Sequence, residues 1–251
     1  VPKNAGTYYV KATVAGTENY TGLESAPVSF EIKKADSSIK FKDGVAFDKV
    51  YDTNAIVVTE EHLEKTGSTG KVSFIFEKKV NDEWKNVETP TEAGTYRVTA
   101  DLAGDDNYTS ATSKPLEFII SKADSAVNIT TQSLNKAYDG NEVRVPKYTT
   151  SGSDGKVTIK WQKNTGSADT PKWEDLKSAP SKVGTYRVVI ELAGNDNYKH
   201  ASATLDFTIS KADNAWAKEL SIKGWKYNET ANVPSSTAKY GDVVYTYSDS
   251  K

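Results

Sequence analysis

The sequence of 251 residues has no cysteine and no methionine, and only two histidines. Without cysteine, the chain forms no disulfide framework and offers no thiolate for catalysis or metal binding. Its 32 basic and 34 acidic residues are scattered instead of blocked, so no basic stripe is present for nucleic acid. No run approaches the ~18 apolar residues of a membrane helix. We therefore expect neither a nucleic-acid partner nor a membrane span in this chain.

The feature that organises the sequence is a motif centred on Gly-Thr-Tyr, which occurs at 5–10, 93–98 and 183–188. In each occurrence the following apolar residues stand at every second position, which predicts a strand buried on one face. The residues between them are polar in most places and suit a solvated outer face. Tyr8, Tyr96 and Tyr186 have the placement of the tyrosine corner of immunoglobulin-like sandwiches, where the hydroxyl bonds back to the preceding turn. We predict a structural role for these three tyrosines.

A second motif, Lys-Ala-Asp, follows an alternating run at 34–36, 122–124 and 211–213 and marks the linkers. The two motifs together predict four segments. Residues 1–34 are the back half of a module, 35–122 and 123–211 are complete modules, and 212–251 is the front half of another. Because the sequence begins Val-Pro inside a repeat and has no initiating methionine, we expect it to be a fragment of a longer chain.

The spacing of short apolar runs and turn residues predicts an all-β fold of tandem immunoglobulin-like antiparallel sandwiches, with six or seven strands per complete module. Among these strands we expect 56–58, 143–145 and 243–247, and a loop around Trp84. A β-grasp-like module is the alternative. Its helix would have to form around 60–65, where the sequence favours only one or two helical turns.

Asn107 and Asn197 lie in Asp-Asp-Asn-Tyr and Asn-Asp-Asn-Tyr, which could supply oxygen ligands to calcium. The first copy reads Thr-Glu-Asn-Tyr at 17–20 and has lost a ligand while keeping Asn-Tyr. That loss favours a structural turn, in which Asn tolerates left-handed geometry and Tyr packs beneath it. We therefore predict no metal and a structural role for both asparagines.

The sequence contains no constellation that predicts an enzyme or a cofactor. His62 and His200 fall at different places in different modules, and neither stands in a pattern that supplies a nucleophile and an orienting acid. We interpret both as surface residues.

Trp84 and Trp173 occupy the same place in their modules, within Glu-Trp-Lys and Lys-Trp-Glu. Flat aromatic rings stack on sugars, which makes these two residues the candidate ligand-binding site. Their recurrence also suits a packing role, such as capping one end of the sandwich.

The combination Ala-Gly-Thr-Tyr, Leu-Ala-Gly-Asn-Asp-Asn-Tyr and Phe-Thr-Ile-Ser-Lys-Ala, with an upstream Tyr-Asp-Gly, resembles tandem bacterial immunoglobulin-like repeats of the MBG type from Gram-positive surface proteins. The resemblance implies a secreted, non-catalytic stalk at the cell surface or wall, which holds an adhesive or carbohydrate-active domain away from the cell. The alternative is an adhesin region that binds a glycan or host ligand through Trp84 and Trp173.

We predict that the segments 1–34 and 212–251 are complementary halves of one module. Neither half can bury its inner face alone. They either belong to a longer array or complete each other between molecules, in a head-to-tail self-association.

Overall fold

A computed structural model describes residues 1–248, so the last three residues of the predicted segment 212–251 lie outside the described part. The chain forms two compact units. The first comprises 1–126 with the loops 151–156 and 192–201, and the second comprises 127–150, 157–191 and the chain from 202 onward. Residues 1–248 contain no α-helix, only a 3-10 turn at Glu60–His62. No helix in this range is long and apolar enough to cross a membrane.

Twelve strands belong to the first unit, and their bounds follow in chain order. They are β1 (Gly6–Val10), β2 (Thr13–Val14), β3 (Leu23–Glu24), β4 (Val28–Ile32), β5 (Ser38–Phe41), β6 (Lys49–Val50), β7 (Leu63–Thr66), β8 (Val72–Val80), β9 (Glu83–Val87), β10 (Gly94–Leu102), β11 (Ala111–Thr112) and β12 (Leu116–Ser121). The main sheet has the order β6-β12-β10-β8-β9, with β11 beside β10. Strand β6 runs parallel to β12, whereas β10 is antiparallel to both β12 and β8.

The core of the first unit lies between this sheet and the antiparallel pair β5-β7. The inner positions of β10, Tyr96, Val98, Ala100 and Leu102, are at most 2% exposed. Ala100 and Leu102 pack in one cluster with Ile39 of β5 and Leu63 of β7, and Tyr96 and Val98 pack with Phe118 and Ile120 of β12. The alternation predicted from the sequence is therefore confirmed for β10. It is wrong for the first copy, where Val10 and Val14 are 55% and 64% exposed, because no second layer of the described residues packs on β1 there.

The second unit repeats this arrangement with the remaining strands. They are β13 (Ala126–Ile129), β14 (Lys136–Ala137), β15 (Tyr148–Ser151), β16 (Val157–Asn164), β17 (Trp173–Leu176), β18 (Gly184–Leu192), β19 (Ala201–Ser210), β20 (Trp216–Ser221) and β21 (Ser235–Ala238). The main sheet has the order β14-β19-β18-β16-β17, and β13 pairs with β15 in a second layer. Its core contains Trp161, Val188, Ile190, Phe207 and Ile209.

Both complete repeats are immunoglobulin-like antiparallel sandwiches, each with one short edge strand parallel to the last strand of its main sheet. The β-grasp alternative is wrong, because such a fold needs a helix packed across the sheet. In the described residues the segment 60–65 instead makes the 3-10 turn and then enters β7. His62 at the end of this turn packs edge-on against Phe47, with ring centroids 5.1 Å apart, so it is not a fully solvated residue.

Three predicted strands do not form. The runs 56–58 and 143–145 each contribute one backbone bond to a neighbouring loop, from Ile56 N to Pro90 O and from Val143 N to Pro180 O, both at 2.9 Å. A short apolar run does not separate a paired strand from an extended segment that merely packs on one. Within the described residues 1–248, the run 243–247 is in no strand, whereas its counterpart β8 pairs with β10.

The predicted loop around Trp84 is also wrong, since Trp84 lies in β9. Strands β8 and β9 form a hairpin in which Val80 faces Glu83. The two residues between them, Asn81 and Asp82, have φ of 51° and 65°. Positive φ at both positions is the requirement of a type I′ turn, and Asn and Asp tolerate it better than most residues.

Candidate functional site

The tyrosine corner is present in all three copies of the motif. Tyr8, Tyr96 and Tyr186 each donate from the hydroxyl to the carbonyl four residues earlier, at 2.9, 2.8 and 2.8 Å. Burial raises the pKa of the Tyr186 hydroxyl. At Gly184, where φ is +158°, an added Cβ would lie 3.0 Å from the Tyr186 hydroxyl oxygen. The glycine of the motif therefore leaves room for the tyrosine to fold back over the turn.

The Asn-Tyr turn of the second copy follows β10 and is held by the side chain of Asp105. The Asp105 carboxylate accepts from the N–H groups of Asn107 and Tyr108, both at 2.9 Å. The Asp105 N–H then donates to the Tyr108 carbonyl at 3.1 Å and closes the turn. The bonds from the backbone N–H groups of Thr69 and Asn107 lower the pKa of Asp105. One carboxylate oxygen of Asp105 thus accepts from the backbone of its own turn, and the other accepts from the backbone N–H of Thr69.

The third copy builds the same turn around Asn195. Its Oδ1 accepts from the N–H groups of Asn197 and Tyr198, at 3.0 and 2.8 Å, and its N–H donates to the Tyr198 carbonyl at 3.0 Å. An added Cβ on the preceding Gly194 would lie 2.7 Å from that carbonyl oxygen. Only glycine fits there without moving the backbone.

Each turn docks on the Lys-Ala-Asp linker that precedes its own copy. We name the contact of linker 34–37 with turn 105–109 the first linker site. Ala35 donates its N–H to the Asn107 carbonyl at 2.9 Å and accepts at its carbonyl from the Thr109 N–H at 2.9 Å. Ser37 Oγ donates to the Thr109 carbonyl at 2.6 Å. The linker is therefore bonded through its backbone and is not a free tether.

The asparagine side chain joins this turn to the copy before it. Asn107 Oδ1 accepts from the Ala5 N–H at 2.9 Å, and Ala5 precedes the Gly-Thr-Tyr motif of the first copy. Lys34 Nζ donates to the Asp105 carbonyl at 2.6 Å. One turn thus bonds to both the linker and the base of the preceding copy.

The second linker site, formed by linker 122–125 and turn 195–199, repeats these bonds within the same unit. Ala123 donates to the Asn197 carbonyl at 2.9 Å and accepts from the Lys199 N–H at 2.8 Å. Asn197 Oδ1 accepts from the Ala93 N–H at 2.8 Å, and Lys122 Nζ donates to the first carbonyl of the turn at 2.6 Å.

A pair of tyrosine rings completes the second linker site. Tyr51 and Tyr198 pack edge to face with ring centroids 5.4 Å apart. Sequence reasoning predicts the turns at Asn107 and Asn197 but misses their bonds to the preceding copy. The available signal is that Lys-Ala-Asp and Asn-Tyr recur together in register.

Trp84 and Trp173 lie on the edge strands β9 and β17, not at one end of the sandwich. The Arg97 guanidinium stands over the Trp84 ring at 4.6 Å, and the Arg187 guanidinium stands over the Trp173 ring at 4.2 Å. Both tryptophans are half-buried. One ring face of each is therefore covered by a cation, an arrangement that stabilises the stack.

Each arginine is also fixed by an acid. Arg97 donates to both carboxylate oxygens of Glu77, at 2.5 and 2.9 Å, and this hydrogen bonding lowers the pKa of Glu77. Arg187 makes the same two bonds to Asp206, at 2.6 and 2.9 Å. The arginines predicted to be solvated on the outer face are instead held between an acid and an aromatic ring.

Family models match most of the chain. One MBG domain model matches residues 125–218, and a second MBG domain model matches 1–36 and 48–124. The chain belongs to the MBG domain family. It therefore consists of tandem MBG-type repeats, as the motifs predict.

Two solved structures of Drosophila N-cadherin are similar to the chain. The EC1-3 fragment is 12% identical, with a TM-score of 0.27, over 84% of this chain and 79% of that one. The EC1-4 fragment is 11% identical, with a TM-score of 0.26, over 86% of this chain and 61% of that one. No curated protein matches the MBG chain in sequence.

Proposed function

We propose that these MBG repeats are a non-catalytic spacer in a bacterial surface protein, exposed outside the cell at the surface or wall. In this role they present an adhesive or carbohydrate-active domain that lies elsewhere in the protein. Membership of the family supports the proposal, since MBG repeats are typical of extracellular surface proteins.

The observation that carries the proposal is the repeated linker site. A spacer works only if the joint between neighbouring copies resists bending. At both sites the alanine of the linker exchanges two backbone hydrogen bonds with the docked turn, and the asparagine of the turn bonds to the base of the preceding copy. The net contribution of each such bond is ~1 kcal/mol, and several acting together hold the joint in one geometry.

The test is to display the chain between a wall anchor and an antibody epitope, with one, two or three chains in tandem. Super-resolution microscopy then measures the distance from the cell surface to the epitope. A spacer predicts that this distance grows by a similar step with each chain. The double variant Asn107→Ala, Asn197→Ala should broaden the distribution of distances without unfolding the protein. A distance that does not depend on the number of chains would overturn the proposal.

A second candidate function is binding of a glycan or host ligand at Trp84 and Trp173. The observation in its favour is that the two half-buried rings occupy equivalent edge strands, where one face of each ring is fixed by an arginine. Titration calorimetry with starch, mucin and cell-wall glycans tests it. Heat that is lost in Trp173→Ala and kept in the neighbouring control Lys172→Ala would support this function, and the absence of heat with every glycan would rule it out for these sugars.

A further inference from the structure

The Tyr-Asp motif of each complete copy directly follows a short parallel strand. It reads Tyr-Asp-Thr-Asn at 51–54 and Tyr-Asp-Gly-Asn at 138–141. The strand before it, β6 or β14, pairs parallel with the last strand of the main sheet, β12 or β19. We name these contacts the parallel seams; residues 48–51 meet 119–121 in the first, and 135–138 meet 208–210 in the second. Each seam joins an early strand of its copy to the last one.

The two seams are made by the same bonds. The residue just before the early strand accepts, through a side-chain oxygen, from a backbone N–H of the last strand. In the first seam Asp48 Oδ1 accepts from the Ile119 N–H at 2.6 Å. In the second seam Asn135 Oδ1 accepts from the Thr208 N–H at 2.7 Å. The N–H of the motif tyrosine then donates to the carbonyl of the final residue of the last strand, at 2.8 and 2.9 Å.

A lysine of the early strand locks the chain that follows the seam. Lys136 Nζ donates to Asp139 Oδ1 at 2.5 Å and to the Asn141 carbonyl at 3.0 Å. Asp139 Oδ1 also accepts from the Asn141 N–H at 2.9 Å, and the bond from Lys136 lowers the pKa of Asp139 to about 2. Lys49 makes the corresponding bonds in the first copy. We name this group of bonds the lysine clasp.

Two observations show that the clasp is maintained against unfavourable terms. The side chains of Lys49 and Lys136 are only 21% and 23% exposed, although lysine mostly stays in contact with water. The residue after the aspartate has positive φ in both copies, 81° at Gly140 and 70° at Thr53. Such a φ strains a β-branched residue. The first copy therefore keeps the clasped turn in spite of the strain at Thr53.

Each seam lies on the shortest path through its copy. The first complete copy is entered through linker 34–37 and left through linker 122–125. Because the first seam bonds the chain before 52 to the chain after 118, the 52–118 segment lies outside this path. The first linker site adds a second bypass, since linker 34–37 bonds to turn 105–109. While these bonds hold, tension between the two linkers does not extend the 52–118 segment.

The parallel pairing decides how tension acts on the seam. A pull on linker 34–37 reaches the N-terminal end of β6, and a pull on linker 122–125 reaches the C-terminal end of β12. In a parallel pair these are opposite ends, so the two strands are drawn past each other and all seam bonds are loaded together. In an antiparallel pair the same pulls would meet at one end and open the bonds one after another. The clasp keeps the chain behind the seam from extending first.

We propose that each complete repeat is a tension-bearing element, in which the parallel seam and its lysine clasp keep the copy folded while the chain is stretched from linker to linker. The inference rests on and deepens the spacer proposal, because a spacer that carries a target-bound domain is stretched along its length. The two proposals fail separately. Reach depends on the folded length at rest, whereas tension bearing depends on the rate of unfolding under load.

Force spectroscopy on the full chain, held at its two ends, tests the proposal. The sequence has no cysteine, so one cysteine added at each end attaches the handles specifically. A complete copy of about 90 residues releases about 300 Å of extended chain, which identifies its unfolding event. Asn135→Ala removes the acceptor of the second seam. It should raise the unfolding rate of one complete copy under constant force about five-fold, the effect of one lost hydrogen bond.

The matched control is Asn164→Ala in the same unit. Asn164 Oδ1 also accepts from backbone N–H groups, those of Gly166 and Lys172, at 2.9 and 3.0 Å. These bonds lie in the loop between β16 and β17, away from the path between the linkers. Asn164→Ala should therefore leave the unfolding rate under force within about two-fold of the wild type, because none of the lost bonds carries the load.

Conservative variants separate the acceptor oxygen from the identity of the residue. Asn135→Asp and Asp48→Asn keep the acceptor and should unfold under force at the wild-type rate, whereas Asp48→Ala should accelerate the other complete copy. Lys136→Met removes the clasp and should also accelerate unfolding. Circular dichroism checks that the variants fold. An unchanged rate in both Asn135→Ala and Asp48→Ala, or an equal acceleration in Asn164→Ala, would overturn the proposal.

Discussion

The docked turns at 105–108 and 195–198 make the same backbone bonds with different side chains. In the first, the Asp105 carboxylate only accepts, and its second oxygen accepts from the Thr69 N–H at 3.0 Å. In the second, Asn195 donates from Nδ2 to the Asp154 carboxylate at 2.7 Å. The negative charge has moved from the turn to the loop that faces it. The turn therefore needs one side-chain acceptor oxygen at position 105 or 195. The residue that supplies it can be charged, as Asp105 is, or neutral, as Asn195 is.

The acid that pairs with the stacked arginine also changes its position between the two copies. The acid that pairs with Arg97 is Glu77 on β8, and the acid that pairs with Arg187 is Asp206 on β19. These strands lie on opposite sides of the strand that carries the arginine. The features common to the two complete copies are thus the tyrosine corner, the asparagine bond to the preceding copy and the stacked arginine, whereas the position of the acid varies.

The largest effect should come from the common tyrosine corner. Tyr96→Phe and Tyr186→Phe each remove the hydroxyl that donates to the carbonyl of Glu92 or Lys182, and we expect each to lower the free energy of unfolding by ~0.5–1.5 kcal/mol, the net contribution of such a bond. Calorimetric unfolding of the full chain measures both. Tyr9→Phe is the control, because that side chain is 72% exposed. Clearly unequal losses of stability in Tyr96→Phe and Tyr186→Phe would show that the tyrosine corner does not stabilise the two copies equally.

A smaller effect should come from the exchanged acids. Glu77→Gln and Asp206→Asn each remove a partly exposed ion pair, typically ~0.2–1 kcal/mol. The hydrogen bond to Glu77 raises the pKa of Arg97, and the charge of Glu117 acts in the same direction, so a second acid stays near Arg97 in Glu77→Gln. We therefore expect Asp206→Asn to be the more costly change, as measured by calorimetric unfolding. A larger loss of stability in Glu77→Gln than in Asp206→Asn would contradict the role given to Glu117.

The smallest effect should be a difference in acid sensitivity between the two turns. The folded-state pKa of Asp105 is lowered from its ordinary 3.8. Its contribution is therefore fully present above that value and is lost as the pH falls toward the lowered pKa. Asn195 does not titrate. Amide exchange at Tyr108 should speed up in this acid range more than exchange at Tyr198, and Asp105→Asn should remove the difference. Equal acceleration at both turns in the wild type would contradict the assignment.

The strands with one buried face could be predicted because their pattern is local. The alternation through Val98 and Leu102 needs only a period of two and holds in both complete copies. The hairpin at Asn81-Asp82 was also within reach, since these residues suit positive φ. The loop prediction overlooked that signal and placed Trp84 outside the sheet.

The linker sites could not be predicted from local pattern, because they join residues far apart in the sequence. Nothing near Asn107 indicates that its side chain meets Ala5, which lies before the first strand. The stacking of Arg97 on Trp84 likewise depends on which strands are neighbours, since β8 lies between the strands that carry them. Only the recurrence of whole motifs in register indicates that such contacts exist.

The central claim is that the asparagine of each turn fixes the base of the copy before it, and amide hydrogen exchange at Ala5 and Ala93 tests it most directly. Asn197→Ala should speed exchange at Ala93 about five-fold, from a bond of ~1 kcal/mol, and leave Ala5 unchanged. Asn107→Ala should do the reverse, and the Asn→Asp variants, which keep an acceptor oxygen, should do neither. Exchange at Ala93 that is unaffected by Asn197→Ala, or that changes together with Ala5 in both variants, would contradict the account.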